Sequence, residues 1–248
     1  MLLTREGDVA LIRMRRGKVN AISAELLGEL SNLLSQLGGA RAAVITGEGS
    51  AFSAGLDLPS LIDLDRATMR GFMGRFGEVV LRLFQLPIPL VAAINGHAIA
   101  GGCVLALQAD LRLAADKDAR IGLNEVQLGI GLPAAVLETL RGQVPAASLV
   151  PIALEGRLFT PREALQLGLV HELAPEAELL PRALARAREL AALPPDGVRQ
   201  VKASLRRPAA DAVRAHESAE SERWLDGWFS AETQSRIRAA VAKLKSKG

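Results

Sequence analysis

Cysteine is almost missing from this chain: Cys103 is the only one in 248 residues. A lone thiol cannot form a disulfide within the chain, so a reducing, cytoplasmic setting is expected. Histidine is nearly as scarce, at positions 97, 171 and 216 only. With no Cys/His cluster, neither a structural zinc site nor a histidine-rich metal centre is expected. Tyrosine is absent and aromatic residues make up 3%. Charge of one sign is lacking too, with 30 Lys and Arg against 27 Asp and Glu, a net +3. The charges are interspersed and no basic tract is interleaved with aromatics, which argues against a nucleic-acid partner. A small polyanionic ligand still fits that balance. No apolar run is long enough to span a bilayer, and Met1–Asp8 does not read as a signal peptide, so no membrane partner is expected.

What is present suits a mixed α/β protein: 49% hydrophobic residues, 23 glycines and alternating apolar segments. The length allows one large domain, or one domain with an appendage. Leu2–Arg5 and Val9–Met14 around Gly7-Asp8 read as a hairpin. Ser23 caps a helix with apolar residues at 26, 27, 30, 33, 34 and 37, closed by Gly38-Gly39. Ala42–Thr46 is a buried strand, and a long helix runs from about Arg66 to Gln85, stopped by Pro87 and Pro89. Leu111–Ala114 and Arg120–Gly122 read as strands, Pro133 opens a helix, and Gly168–Leu173 reads as a short strand. From about Glu176 the chain is helical: one amphipathic segment, a second opened by Pro194-Pro195, and two more to Lys247. The division expected is a strand-and-helix core over 1–194 and a helical region over 195–248. A strand-strand-helix pattern recurs loosely at Leu2–Leu37, Ala42–Gln85 and Leu90–Ala109, without a repeat at the level of sequence.

The rest of the chain is organised around residues 90–109. An apolar strand, Leu90–Ile94, leads through Asn95-Gly96-His97-Ala98-Ile99-Ala100 into a helix that starts at Gly101-Gly102. That helix is apolar on nearly every side, through Cys103, Val104, Leu105, Ala106 and Leu107, as a buried helix is. Its N-terminus therefore turns free amides and the positive dipole end inward. The glycines let a ligand approach closely, and an oxygen that becomes negative during a reaction would suit those donors. Glycines serving only the packing of a tight turn would give the same residues. A second glycine site, Ala54-Gly55-Leu56-Asp57, follows a strand and can expose the Leu56 amide, although an ordinary loop would read alike.

Taken together the two sites and a third carry a resemblance. Phe52-Ser53-Ala54-Gly55-Leu56-Asp57-Leu58, then Ala93-Ile94-Asn95-Gly96 with Ala100-Gly101-Gly102-Cys103, then Ile121-Gly122-Leu123-Asn124-Glu125-Val126-Gln127-Leu128-Gly129 resemble the crotonase (enoyl-CoA hydratase/isomerase) superfamily. In detail the first and third are similar to its Δ3,Δ2-enoyl-CoA isomerase branch. Order and spacing hold over residues about 1 to 175. The resemblance implies an α/β crotonase-like spiral core of repeated ββα units with a C-terminal helical oligomerisation region. It implies an acyl-CoA thioester as substrate, so coenzyme A enters with the substrate and no separate cofactor or metal is expected. It implies an oxyanion hole from the amides of Leu56 and Gly101. It also implies that Ala54, Gly55, Leu56, Asp57 and Leu58 lie along the CoA, and that Asn124 and Glu125 lie by the acyl chain. It further implies a homotrimer or a dimer of trimers, with the tail packing between subunits.

Glu125 is the candidate acid/base, since a carboxylate beside the weakly acidic C2 of a thioester can take a proton while the hole holds the enolate. Hydratases of the superfamily usually carry a second glutamate where this chain has Val104. A single carboxylate suffices to move a proton from C2 to C4, so isomerisation of a 3-enoyl-CoA to a 2-enoyl-CoA is preferred. Hydration, another lyase reaction of the superfamily, and non-catalytic thioester binding stand as alternatives. Asp110 is expected to be structural, Cys103 inert, and His97 packed. A Ser53–His97 hydrolase pair ranks low, because no G-x-S-x-G elbow surrounds the serine. Lys18, Lys243, Lys245, Lys247, Arg15 and Arg16 are candidates for the CoA phosphates, or plain surface charge. Trp224 and Phe229 are candidates to close an acyl pocket, their own or a neighbouring subunit's, although core or interface packing is the preferred reading; the apolar tail face at Ala215, Ala219 and Trp224 would allow packing between subunits.

Overall fold

A computed structural model describes residues 1–246. The Gly7-Asp8 turn, with Gly7 at φ +65°, joins β1 (Leu2–Glu6) to β2 (Val9–Met14) as an antiparallel hairpin. Ser23 accepts the Leu26 amide and starts α1 (Ala24–Ser35), which stops shortly before the glycine pair. There follow β3 (Ala42–Gly47), β4 (Ala51–Ser53), the short α2 (Leu58–Leu61) and α3 (Arg66–Phe84). The central run is β5 (Leu90–Ile94), β6 (His97–Ile99) and α4 (Gly101–Leu107). Then come β7 (Leu111–Ala115), β8 (Ile121–Gly122), a 3₁₀ turn over Glu125–Leu128, and α5 (Ala134–Arg141). After two short irregular turns the chain continues through α6 (Pro161–Gln166), β9 (Glu172–Ala174), α7 (Glu176–Ala191), α8 (Pro195–Trp228) and α9 (Ala231–Lys245).

The strands sort into two sheets. The larger has the order β1-β2-β3-β5-β7-β9, and the smaller β4-β6-β8. Except for the hairpin, the named strands pair with one another in parallel. The pairs β3/β4, β5/β6 and β7/β8 each place their first strand in the large sheet and their second in the small one. This is the spiral of ββα units that the resemblance implies. Both faces of the large sheet are covered, as a parallel sheet requires. Val9, Leu11, Val44, Val91 and Leu113 face Leu179, Ala183 and Ala187 of α7. The alternate residues Ala10, Ile12, Ile45, Ala92 and Ile94 belong to the main core with α1, α3 and α4.

Three sequence expectations change. His97–Ile99, read as part of the connection from strand to helix, is a strand between β4 and β8; three residues carry no readable period, and only non-local pairing defines them. The strand expected over Gly168–Leu173 begins only at Glu172. Residues before it form a turn with Gly168 at φ +73°, held because the buried Arg112 guanidinium donates to the carbonyls of Gly168 and Leu169. The tail holds three helices rather than four, because α8 continues through the exposed Pro208. Of the candidate cations in the tail, Lys247 lies outside the described residues.

The tail is sewn to the core by Asp110. Its carboxylate accepts from the Leu90 amide at 2.8 Å, Lys202 Nζ at 2.6 Å and Arg206 Nη2 at 2.8 Å, while Arg206 also lies over the Phe84 ring. Lys202 and Arg206 are buried, so removal of their shared anion leaves two cations without a counter-charge. Asp110→Ala is expected to lower unfolding stability by about 2 kcal/mol, discounted for the part of the carboxylate that water reaches. Urea denaturation at pH 7 measures this.

Candidate active site

The three glycine-bearing segments singled out in the sequence all leave the same end of the small sheet. β4 pairs with β6 through Ala51↔His97 and Ser53↔Ala98, and β6 pairs with β8 through Ala98↔Ile121 and Ile99↔Gly122. Because the strands are parallel, the residues just beyond each C-terminal end emerge side by side. These are Ala54–Leu58, Ala100–Gly102 and Leu123–Glu125. Loops at the carboxyl ends of parallel strands form crevices, and one opens here.

The crevice spans about 670 Å³ with its open mouth included. Ala54, Leu56, Leu58, Gly101, Asn124 and Glu125 line it, together with Val104 and apolar residues from α3, α5 and α8. Gly55 and Asp57, expected beside them, do not line it. Gly55 lies buried behind the wall at φ +88°, where a Cβ would stand 2.8 Å from the Ile99 carbonyl oxygen and 3.0 Å from the Ala100 Cβ. Its missing side chain is what lets the two amide-bearing segments approach. Asp57 opens α2, and its carbonyl accepts from the Ser60 amide and hydroxyl.

The orientation of the amides follows from their neighbours. Ile22 bridges the 54–58 segment: its amide donates to the Gly55 carbonyl, and the Asp57 amide donates back to the Ile22 carbonyl. The Leu56 N–H is left on the opposite side. Ala100 adopts φ +51°, ψ −127°, a conformation that L-residues rarely take, and its amide donates to the Gly122 carbonyl. That twist starts α4 at Gly101 and frees the next amide. Among the described residues neither the Leu56 nor the Gly101 N–H has an acceptor. Two unpartnered amides on adjoining segments make a site for an anionic oxygen. Strain of this kind persists only where surrounding structure enforces it. Nothing in the sequence flagged Ala100 beyond its place before the glycine pair.

Glu125 heads the 3₁₀ turn. Its Oε2 is buried with no hydrogen-bond partner among the described residues. Burial pushes its carboxyl up to about 7, with only its own backbone amide acting the other way. Loss of hydration penalises the charged form, and no cation stands near to restore it. Glu125 is the only ionisable side chain among the residues lining the crevice, and Val104 lies in the same wall. The far end of the 3₁₀ turn is tied to α9, where buried Thr233 donates to the Gly129 carbonyl at 3.0 Å.

The other candidates are placed elsewhere. The Ser53 hydroxyl donates to the Asn20 carbonyl at 2.8 Å, and His97 Nδ1 accepts from the Arg120 amide at 3.1 Å, so the hydrolase pair does not form. The Cys103 thiol is buried, and burial raises it to about 12. Trp224 lines the crevice of its own chain, stacked on Trp228 at 5.2 Å, whereas Phe229 packs against the core. On the same helix Ala215 and Ala219 are exposed, whereas Trp224 is buried in its own chain. Arg15 pairs with Glu48, and Arg16 with Glu25 and Glu29.

Comparison with known proteins agrees with this geometry. The family described as Enoyl-CoA hydratase/isomerase matches residues 4–245. This chain belongs to that family. It is 33% identical to human mitochondrial enoyl-CoA delta isomerase 1 over 242 residues, 96% of this chain and 80% of the relative. It is 38% identical to a putative enoyl-CoA hydratase of Thermus thermophilus over 214 residues, 82% of each. The crystal structure of human mitochondrial delta3-delta2-enoyl-CoA isomerase superposes with a TM-score of 0.94 at 32% identity, covering 99% of this chain and 98% of that one. The family confirms the crotonase fold and an enzyme acting on enoyl-CoA chemistry. Relatives bearing both the isomerase and the hydratase names stand at similar identity, so sequence likeness alone does not choose the reaction. No helix among the described residues is long and apolar enough to cross a membrane.

Proposed function

We propose that this enoyl-CoA hydratase/isomerase family member shifts the double bond of a 3-enoyl-CoA to the 2-position. The reading is carried by one observation: among the described residues Glu125 is the sole ionisable group lining the crevice, with aliphatic Val104 in the same wall. The thioester oxygen sits against the Leu56 and Gly101 amides. As Glu125 removes a C2 proton, negative charge moves onto that oxygen, and each fixed amide stabilises it by about 3 kcal/mol. The dienolate spreads charge to C4, where the protonated Glu125 returns the proton. A carboxyl held near pH 7 suits both halves of the transfer, because it is neither too weak a base nor too weak an acid at neutrality. Hydration needs a water poised between two acid/base groups, and a valine neither holds nor activates one. The CoA runs along Ala54–Leu58, with Asn124 beside the acyl group and Lys18 or Lys243 within the candidate phosphate ligands. Assembly as a trimer or dimer of trimers rests on the family resemblance.

Purified protein given a 3-enoyl-CoA and, separately, a 2-enoyl-CoA tests the choice. The expected result is conversion of the first without water addition to the second. Fast formation of a 3-hydroxyacyl-CoA from the 2-enoyl ester would replace isomerase by hydratase. The related human isomerase supports the first outcome, and the hydratase-named relatives motivate the second.

A further inference from the structure

The crevice does not end in solid protein. Beyond Met73, Phe76, Pro133 and Trp224 lies a second, narrow hollow that opens to solvent, and these four residues line both spaces. On the near side is Glu125. On the far side are Gly74 and Gly77 of α3, with Glu217 of α8.

The partition is made of unequal parts. Trp224 is fixed, buried and stacked on Trp228 with the rings 20° from parallel. Met73 is unbranched, with rotatable bonds that let it swing aside, and Phe76 stands one turn along the same helix. The glycines behind them have no packing need that accounts for both. A Cβ at Gly74 would meet nothing within 4 Å, whereas one at Gly77 would stand 3.2 Å from Glu217 Oε1. Glycine inside a helix is unfavourable relative to alanine, so its effect at Gly74 is to keep the far compartment open. Glu217 lines the far space beside Gly77 with a half-buried carboxylate, and an apolar chain reaching it would strip water from a charge.

We propose that Met73 and Phe76 are a gate, with Trp224 as its post, between two compartments of one acyl channel. Short acyl groups end before the gate, straight medium-length chains pass it, and Glu217 sets the outer limit. This rests on the reading that the crevice holds an acyl-CoA with C2 at Glu125. Gly74 and Glu217 are then specificity-determining positions for chain length.

Saturated butanoyl-CoA and octanoyl-CoA bind without turnover, so titration calorimetry of the full chain reads length preference apart from isomerisation. Gly74→Leu puts a side chain into the far compartment at a position where its Cβ meets nothing within 4 Å. It is expected to weaken octanoyl-CoA relative to butanoyl-CoA by about tenfold. Phe76→Ala removes the partition and is expected to move the same ratio the other way. Should that core substitution fail to fold, Gly74→Leu decides alone. Both esters binding with a ratio unmoved by Gly74→Leu would overturn the gate and leave the acyl-CoA reading standing. Binding of neither ester to the unaltered protein would overturn the gate together with that reading.

Discussion

Glu125→Gln is expected to reduce kcat/KM for a 3-enoyl-CoA by about 10³-fold or more while leaving acyl-CoA binding within a few-fold, because the amide keeps the shape and loses the proton transfer. The same substitution is expected to make the protein more stable. In the folded chain the Glu125 carboxyl stands at about 7 against an ordinary 4.5. Between those values the folded state holds a proton that the unfolded state has released. Stability therefore falls as pH rises through that window and levels off above it. A shift of this size corresponds to about 3 kcal/mol as an order of magnitude. Glutamine carries no such cost, so the variant is expected to gain up to about 3 kcal/mol over the parent at pH 8. The gain should shrink toward zero near pH 4.5. Urea denaturation across that range, beside steady-state kinetics, checks both halves. Loss of activity with no gain at pH 8 would show that the carboxylate is better solvated than its buried Oε2 implies.

Gly55→Ala is the second substitution with a large expected effect. No side chain at 55 points into the crevice, so a loss here would act through the spacing of the two amide segments. A methyl group at this position would stand 2.8 Å from the Ile99 carbonyl oxygen, on backbone that cannot rotate away, and at a φ of +88° that alanine disfavours. The 54–56 and 99–101 segments must part. If the oxyanion site is the pair of amides at Leu56 and Gly101, kcat is expected to fall by about 10²–10³-fold, the loss typical of one misplaced donor. KM for the CoA ester should change far less. A variant that folds, shown by an unchanged circular dichroism spectrum, yet keeps parental kcat would remove the amide pair from the mechanism.

Much of this was legible in the chain itself, and the reasons are local. Leu90–Ile94 is long enough and apolar enough to announce a buried strand, and the all-apolar α4 could only be interior. Gly55, Gly101 and Glu125 stood out because three segments recur in a known order. What could not be read depends on partners distant in sequence. The small sheet is built from strands of two or three residues, which have no period of their own. The strain at Ala100 is imposed by the Gly122 carbonyl that takes its amide. Arg112 turns 168–171 away from strand by claiming its carbonyls, a demand invisible in those residues. The tail was expected to hold four helices, yet α8 runs on through Pro208, which sits on its exposed face. Trp224 was readable as large and apolar but not as a wall of its own chain's crevice, since that depends on where a 34-residue helix lies.

The proposed chemistry depends on one carboxylate working without a partner acid, and the pH dependence of kcat/KM for a 3-enoyl-CoA tests that most directly. One ionisable group acting as a base gives a single limb: activity rising tenfold per pH unit below about 7, then a plateau, with the limb abolished in Glu125→Gln. A bell-shaped profile, or a limb that survives the Glu125→Gln substitution, would contradict it.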